Sequence, residues 1–174
     1  LDDLVYVYCD TIIKLQPKTF ILENVKGIIA GNAKSYSKKI VEKMTKAGYS
    51  VQVFLLNAAS MGVPQKRERV FFIGSKKELN FPKLKLEFNE RAVVFGEIDG
   101  GVIDSKPLSS GFLKDWENAG IGCSVGKFHS NQKVNPNEVL NTIASGTYKF
   151  HWQQPREISH GEFCQYRSYH PHSN

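Results

Sequence analysis

Residues 17–25 read Pro-Lys-Thr-Phe-Ile-Leu-Glu-Asn-Val, and the fold predicted for the chain is organised around this stretch. The apolar run 20–22 is typical of a buried parallel strand, and the chain turns polar at once at Glu23 and Asn24. In open parallel α/β sheets, ligands bind beyond the carboxyl ends of the strands, so this polar pair lies where chemistry is usually done. Many strands end in a polar pair for solvation alone, so a functional interpretation needs support from elsewhere in the chain.

A second stretch, residues 48–74, supplies that support. It contains two apolar segments, 51–56 and 70–73, joined by a loop with Gly62 and Pro64. The connection is too short for a crossover helix, and we therefore expect the two segments to pair antiparallel. The loop delivers a run of five polar residues, namely Gln65, Lys66, Arg67, Glu68 and Arg69.

Helical periodicity flanks the first stretch on both sides. Apolar residues before Pro17 recur at helical spacing and predict an opening helix. They are Leu1, Leu4, Val5, Tyr8, Ile12 and Leu15. A second helix is predicted from about Ser35 to a stop at Gly48. Its apolar face consists of Tyr36, Ile40, Val41, Met44 and Ala47.

Five lysines of this second region lie mostly off the apolar face of the predicted helix. They are Lys34, Lys38, Lys39, Lys43 and Lys46. Two interpretations are open, a solvated surface and a track for phosphates. The sequence alone favours the solvated surface.

Composition limits the class of protein. The 174 residues, 41% of them apolar, suffice for one domain and a small second one. A net charge of +6 favours an acidic partner such as nucleic acid, although mildly basic soluble proteins are also common. The three cysteines are widely spaced and odd in number, which favours reduced thiols in a cytoplasmic protein and predicts no metal site. The sequence contains no apolar run long enough to predict a membrane span, and it contains no leader of the kind that predicts secretion.

The remainder of the chain divides into two further regions. Residues 76–140 become rich in Gly and Ser and show little helical periodicity, which predicts a small irregular β-rich domain. Residues 141–174 form a return segment. Within it Ser159 and Glu162 match a capping box and predict a short helix from about His160 to Tyr169. The predicted domains are therefore 1–75, 76–140 and 141–174.

The two stretches together resemble one enzyme family. Glu23-Asn24-Val25 after an apolar strand, with Gln65-x-Arg67-x-Arg69 before another, resembles the sixth and eighth motifs of the DNA cytosine-5 methyltransferases. Shorter matches occur at Pro17-Lys18, Lys26-Gly27, Gly48-Tyr49, Asn57 and Gly62-Val63-Pro64. The fold expected is α/β: the second half of a Rossmann-like methyltransferase sheet that ends in an antiparallel strand pair, followed by a target-recognition domain at 76–140.

The resemblance implies catalytic roles for four residues. Glu23 corresponds to the glutamate that binds and protonates the flipped cytosine, and Asn24 to a residue that braces the catalytic loop. Arg67 would lie near the nucleophile and the target phosphate, and Arg69 would contact the cytosine O2. DNA contacts are implied at Gln65, Lys66, Thr142 and Arg156.

The residues themselves are suited to this chemistry. Attack on a cytosine ring carbon is easier when an acid protonates or hydrogen-bonds the ring nitrogen, and a partly desolvated Glu23 can do so. Arg67 and Arg69 are two apart on an extended segment, so they are expected to project to the same side. The alternative for the arginines is a structural salt bridge with Glu68 or a solvated loop.

Other parts of the family pattern are looser or not found. Residues 141–145 and 156–162 resemble a supporting segment and the start of the ninth motif, and Leu4 aligns with a leucine that borders the adenine of S-adenosylmethionine. The Gly-rich loop for that cofactor, the Pro-Cys nucleophile and the tenth motif are not found. Cys9 is no substitute, because it falls inside the opening helix and is expected to face the core.

These matches predict a C-terminal half of a methyltransferase that uses S-adenosylmethionine and is inactive alone. Its expected partners are double-stranded DNA and the missing N-terminal half of the same protein, and an exposed sheet edge would allow a dimer. A bacterial or phage restriction-modification system is the expected setting. Two alternatives remain open: a tRNA cytosine-5 methyltransferase, and a non-catalytic nucleic-acid-binding module.

Overall fold

The computed structural model describes residues 2–98, 108–127, 131–141 and 149–150. The chain forms two compact units, the first comprising Leu1–Asn57 and Glu68–Phe88, the second Ala58–Arg67 and Asn89–Asn174. The domain limits predicted at residues 75 and 140 stay predictions. In chain order the elements are α1 Asp2–Leu15, β1 Thr19–Val25, α2 Lys34–Lys46, β2 Tyr49–Asn57, β3 Gln65–Lys66, β4 Glu68–Lys76, α3 Ser110–Asn118, β5 Gln132–Lys133, β6 Leu140–Asn141 and β7 Lys149–Phe150.

The first unit contains a three-stranded sheet in the order β1-β4-β2. The predicted antiparallel pairing of the second stretch is confirmed, because β2 and β4 pair from Tyr49 opposite Lys76 to Asn57 opposite Glu68. The predicted parallel setting of β1 is wrong for the described residues, since β1 pairs antiparallel with β4. The returning strand β4 lies between β1 and β2, which therefore run in the same direction without touching.

The apolar run in β1 is buried on one face only. Phe20 and Leu22 are buried, whereas Ile21 between them is 62% exposed. The strand also continues to Val25, so Glu23 lies within it rather than at its tip. Alternation of this kind is normal for an antiparallel strand with one covered face.

Helices α1 and α2 cover the buried face of this sheet. The shared core consists of Cys9, Ile12, Phe20, Leu22, Ile40, Met44, Tyr49, Val70 and Phe72. The face predicted for α2 is confirmed, with Ile40 and Met44 fully buried. The face predicted for α1 is partly wrong, because Leu4 and Leu15 are 71% and 70% exposed.

Two tyrosine hydroxyls connect the core to the backbone. Tyr49 is fully buried and donates to the carbonyl oxygen of Pro17 at 2.7 Å. Tyr8 donates to the carbonyl oxygen of Ile21 at 2.8 Å and so attaches α1 to β1. Burial raises the pKa of both phenols. Both therefore stay neutral donors at physiological pH.

The second unit has short strands and one helix among its described residues. β3 pairs with β6 and β5 with β7, each over two residues and in parallel. Helix α3 is the longest of the described elements in this unit and was missed by the sequence analysis. The β-rich character predicted for residues 76–140 stays a prediction. The helix predicted from about His160, with its capping box, lies outside the described residues.

Two polar contacts stabilise the second unit. The Lys133 side chain is buried, lies 3.9 Å from the Trp116 ring centroid, and donates to the carbonyl oxygens of Trp116 and Ala119 at 3.1 Å each. It thereby satisfies carbonyls at the C-terminal end of α3. Arg91 donates to the Glu97 carboxylate at 2.8 Å and lowers the pKa of Glu97 to about 2.

None of the described helices is long and apolar enough to cross a bilayer.

Candidate functional site

Glu23 and Arg69 meet on the sheet of the first unit. The Arg69 Nε lies 2.8 Å from Glu23 Oε1, and the two side chains are 22% and 50% exposed, respectively. Since β1 pairs with β4, with Val25 opposite Arg69, the two side chains are diagonal neighbours on one face. The carboxylate is thus half exposed and ion-paired. The partial desolvation expected of Glu23 stays a prediction.

A second ion pair adjoins the first. Arg69 Nη1 donates to the carbonyl oxygen of Glu68 at 2.8 Å, while the Glu68 carboxylate pairs with Lys26 at 2.7 Å. Among the described residues, the ion-pair partner of the Glu68 carboxylate is Lys26 rather than an arginine, and the other alternative, a solvated loop, stays open for the exposed Arg67. Lys26 was missed as a partner; it directly follows Val25, which lies opposite Arg69, the neighbour of Glu68.

Asn24 lines a cavity on the helix-covered side of the sheet. Its Oδ1 accepts a hydrogen bond from the N–H of Val25 at 2.8 Å. The cavity has a volume of about 170 Å³ and is mostly apolar. Its lining consists of Val5, Tyr6, Asn24, Val25, Ile28, Ala33, Tyr36 and Ile40. Sequence patterns did not indicate this cavity, because three separate elements build it.

The remaining predicted site residues fall in the second unit or outside the described residues. Gln65 is 8% exposed, whereas Lys66 and Arg67 are exposed. The extended segment is interrupted at Arg67, which lies between β3 and β4. The backbone carbonyl oxygen of Arg67 accepts a hydrogen bond from the N–H of Ala58 at 3.0 Å. The roles predicted for these residues stay predictions. Thr142 and Arg156 lie outside the described residues.

Cys9 is buried in the core of the first unit, as predicted from its position in α1. Its exposed fraction is 1%, and burial raises the pKa of its thiol more than the Lys43 ammonium lowers it. A thiol of this kind is a poor nucleophile. Cys123, in the second unit, is exposed.

Thiol labelling in the native chain is expected to separate these two cysteines. A water-soluble disulfide reagent should modify Cys9 at least about tenfold more slowly than Cys123, because Cys9 reacts only after local opening. Peptide mapping after timed labelling measures both rates, and labelling in denaturant is the control that should equalise them. Equal rates in the native chain would contradict the inert assignment of Cys9.

Among the described residues, no three His, Cys, Asp or Glu side chains group closely enough to hold a metal ion.

The family model for C-5 cytosine-specific DNA methylases matches residues 2–170. The chain belongs to this family. The resemblance inferred from the Glu23 and Arg69 motifs is thereby confirmed. Type II methyltransferase M.XorII from Xanthomonas oryzae pv. oryzae is 35% identical over 128 residues, which cover 70% of this chain and 30% of M.XorII. Type II methyltransferase M.MthTI from Methanothermobacter thermautotrophicus is 31% identical over 152 residues, covering 81% of this chain and 45% of M.MthTI.

A solved structure agrees with this family assignment at the level of the fold. A crystal structure described as that of a prophage-encoded DNA modification methyltransferase (E. coli) superposes with a TM-score of 0.77 at 17% identity. The alignment covers 92% of this methylase-family chain and 62% of the other. The chain spans less than half the length of M.XorII and M.MthTI.

Proposed function

We propose that this chain carries the target-cytosine half of a DNA cytosine-5 methyltransferase of the restriction-modification type. The observation that carries the proposal is the 2.8 Å pair between Glu23 and Arg69, an acid and a guanidinium on one exposed sheet face. The family and the type II methyltransferases among its relatives support the choice of DNA. A cytosine within a duplex cannot be reached, so the base must rotate out of the stack to meet this pair.

Glu23 is proposed to bind the edge of the extruded cytosine. One carboxylate oxygen is paired with Arg69, and among the described residues the other makes no further hydrogen bond. Once protonated and released from Arg69, the carboxyl group can donate to the ring nitrogen N3 and accept from the adjacent exocyclic amine, a combination that distinguishes cytosine from thymine. A hydrogen bond to N3 withdraws electron density from the ring and favours attack on a ring carbon.

Arg69 is proposed to move from Glu23 to the base. Protonation of N3 requires a proton on the Glu23 carboxyl group, and therefore its release from Arg69. A cytosine O2 placed against the guanidinium would replace the carboxylate as the partner of Arg69. The released carboxylate takes up a proton from solvent before the base closes over it, and the carboxyl group then transfers that proton to N3.

Further roles are proposed for residues of both units, most of them as contacts to the rest of the DNA. Asn24 would brace the catalytic loop, and Arg67 would contact the target phosphate beside the nucleophile. Further DNA contacts are proposed at Gln65, Lys66, Thr142 and Arg156. Such contacts hold the duplex in register while the base is outside the helix.

The nucleophile and the cofactor site are proposed to come from an N-terminal half. S-adenosylmethionine supplies the methyl group in the chemistry proposed. Of the residues that would hold it, only Leu4 has a counterpart here, and its exposed side chain is suited to contact an adenine ring. The 174 residues contain no Pro-Cys dipeptide. The chain alone is therefore proposed to be inactive.

The free edge of β1 is the proposed contact for the N-terminal half. Among the described residues, β1 has a strand partner only in β4, so its other edge can accept a further strand, although the carbonyl oxygen of Ile21 already accepts from Tyr8. In the absence of the N-terminal half, the same edge would pair two copies of the chain into a dimer. A restriction-modification enzyme of this type acts in the cytoplasm.

Methyl incorporation by the complete enzyme tests the proposed function. With labelled S-adenosylmethionine, transfer to duplex DNA and none above background to tRNA is expected. Methyl incorporation mainly into tRNA would instead support the tRNA methyltransferase alternative. Incorporation into neither substrate, with DNA binding retained, would support the non-catalytic module. An enzyme with its Pro-Cys cysteine replaced is the matched control for background.

A further inference from the structure

Helix α2 carries an excess of positive charge on its exposed surface. It contains five lysines and one glutamate. Three of the lysines, Lys34, Lys38 and Lys39, are exposed and lie in the N-terminal half of the helix. We call these three residues the lysine face.

No ion pair to the lysine face is found among the described residues, although Glu42 lies one turn further along α2. Among the described residues, Lys34 and Lys38 have no ion-pair partner, and Lys39 lies 5.8 Å from the Tyr36 ring centroid. The first turn of α2 contains no acidic residue. The nearby carboxylate of Asp10 is already paired with Lys43 at 2.6 Å. Three clustered cations without acidic partners cost stability, unless an anion outside the unit offsets their repulsion.

The lysine face lies at the same end of the sheet as the candidate site. β1 carries Glu23 towards its end at Val25, and the chain then makes two short turns before α2 begins at Lys34. Asn24 and Val25 line one cavity together with Ala33 and Tyr36, from the start of α2. The N-terminal half of α2 is therefore near the end of β1 that bears Glu23, on the sheet face opposite to the Glu23 and Arg69 side chains, and its C-terminal end points away.

We propose that the lysine face binds the phosphate backbone of duplex DNA beside the extruded cytosine. The inference rests on the proposed function, which brings a polyanion to this end of the sheet. Lysines act on phosphates as mobile point charges and carry no base preference, so the face would raise affinity without choosing a sequence. Its position at the sheet end that carries Glu23 is what distinguishes this interpretation from the solvated surface that the sequence favoured.

The salt dependence of DNA binding by the full 174-residue chain tests the lysine face. The test variant replaces Lys34, Lys38 and Lys39 by Gln, which has a similar helix propensity. The matched control replaces Lys46, Lys83 and Lys85 by Gln and removes the same charge. Lys46 lies at the other end of α2, and Lys83 lines a cavity with Thr19 and Ser75 at the opposite end of the sheet.

The expected readout is the slope of log binding constant against log salt concentration on one duplex. The test variant should reduce the slope by about 2–3, because each lost phosphate contact removes about 0.9. The control variant should reduce it by less than about 1. A variant with Lys34, Lys38 and Lys39 replaced by Arg keeps the charge and should retain the wild-type slope.

Three results would overturn the inference. An unchanged slope in the test variant would show that the face does not contact DNA. Equal reductions in the test and control variants would show an effect of net charge alone. No DNA binding by the wild-type chain would remove the partner itself. The salt slope can depend on the lysine face while the complete enzyme transfers no methyl group. That combination would defeat the proposed function and leave this inference standing.

Discussion

Replacing Glu23 by Gln in the complete methyltransferase is expected to slow methyl transfer by about 10²–10⁴-fold, the usual contribution of a general acid. Glutamine is nearly isosteric and can still hydrogen-bond a base, so DNA affinity should be largely retained. Its amide cannot transfer a proton to N3, and it also lacks the charge that binds Arg69. Single-turnover methyl transfer, with DNA binding measured in parallel, separates the chemical step from affinity.

The matched control for this substitution is Glu42→Gln on α2. Glu42 is an exposed carboxylate on the surface of the same unit, outside the Glu23–Arg69 pair. Methyl transfer by this control should stay close to wild type. Unchanged turnover in Glu23→Gln would refute the role assigned to Glu23, and an equal loss in both variants would point to net charge instead. A loss confined to affinity would make Glu23 a binding residue only.

The sequence predicted which strands pair better than it predicted which faces of the sheet are covered. The short connection between β2 and β4 permits only an antiparallel turn, so that pairing followed from chain length. A three-residue apolar run cannot show how many faces are covered, and Ile21 was therefore wrongly taken as buried. The family motifs assigned Glu23 and Arg69 to one cytosine site, whereas the direct contact between the two side chains comes from the strand register.

The missed features depend on partners distant in sequence. Helix α3 lies in a Gly- and Ser-rich region, and its C-terminal end is capped by Lys133, 14 residues beyond Ala119. Helix propensity, which depends on neighbouring residues, does not include a capping contact from a residue so distant in sequence. Lys26 is likewise a surface lysine by pattern, and only the pairing of β1 with β4 brings it to Glu68. Tertiary contacts therefore decided both cases.

Replacing Gly74 by Ala is expected to lower the free energy of unfolding by about 1–3 kcal/mol, the usual cost of overpacking a core. A Cβ at this position would overlap the Phe20 ring, with the ring Cδ1 only 2.8 Å away. The ring cannot easily retreat, because it packs edge-on against the fully buried Tyr49 at 5.3 Å between centroids. Urea denaturation followed by circular dichroism measures the change.

Two further variants decide whether the Phe20 ring is the cause. Gly27→Ala adds the same methyl group where the nearest atom is 3.9 Å away, so it should be close to neutral. Phe20→Leu removes the ring edge, so Gly74→Ala should cost less in that background than in wild type, which gives a favourable coupling energy. Additive costs in the double variant would contradict the overlap and assign the loss to the backbone of β4. Since β4 joins β1 to β2, the packing of Phe20 on Gly74 also determines whether Glu23 and Arg69 stay on adjacent strands.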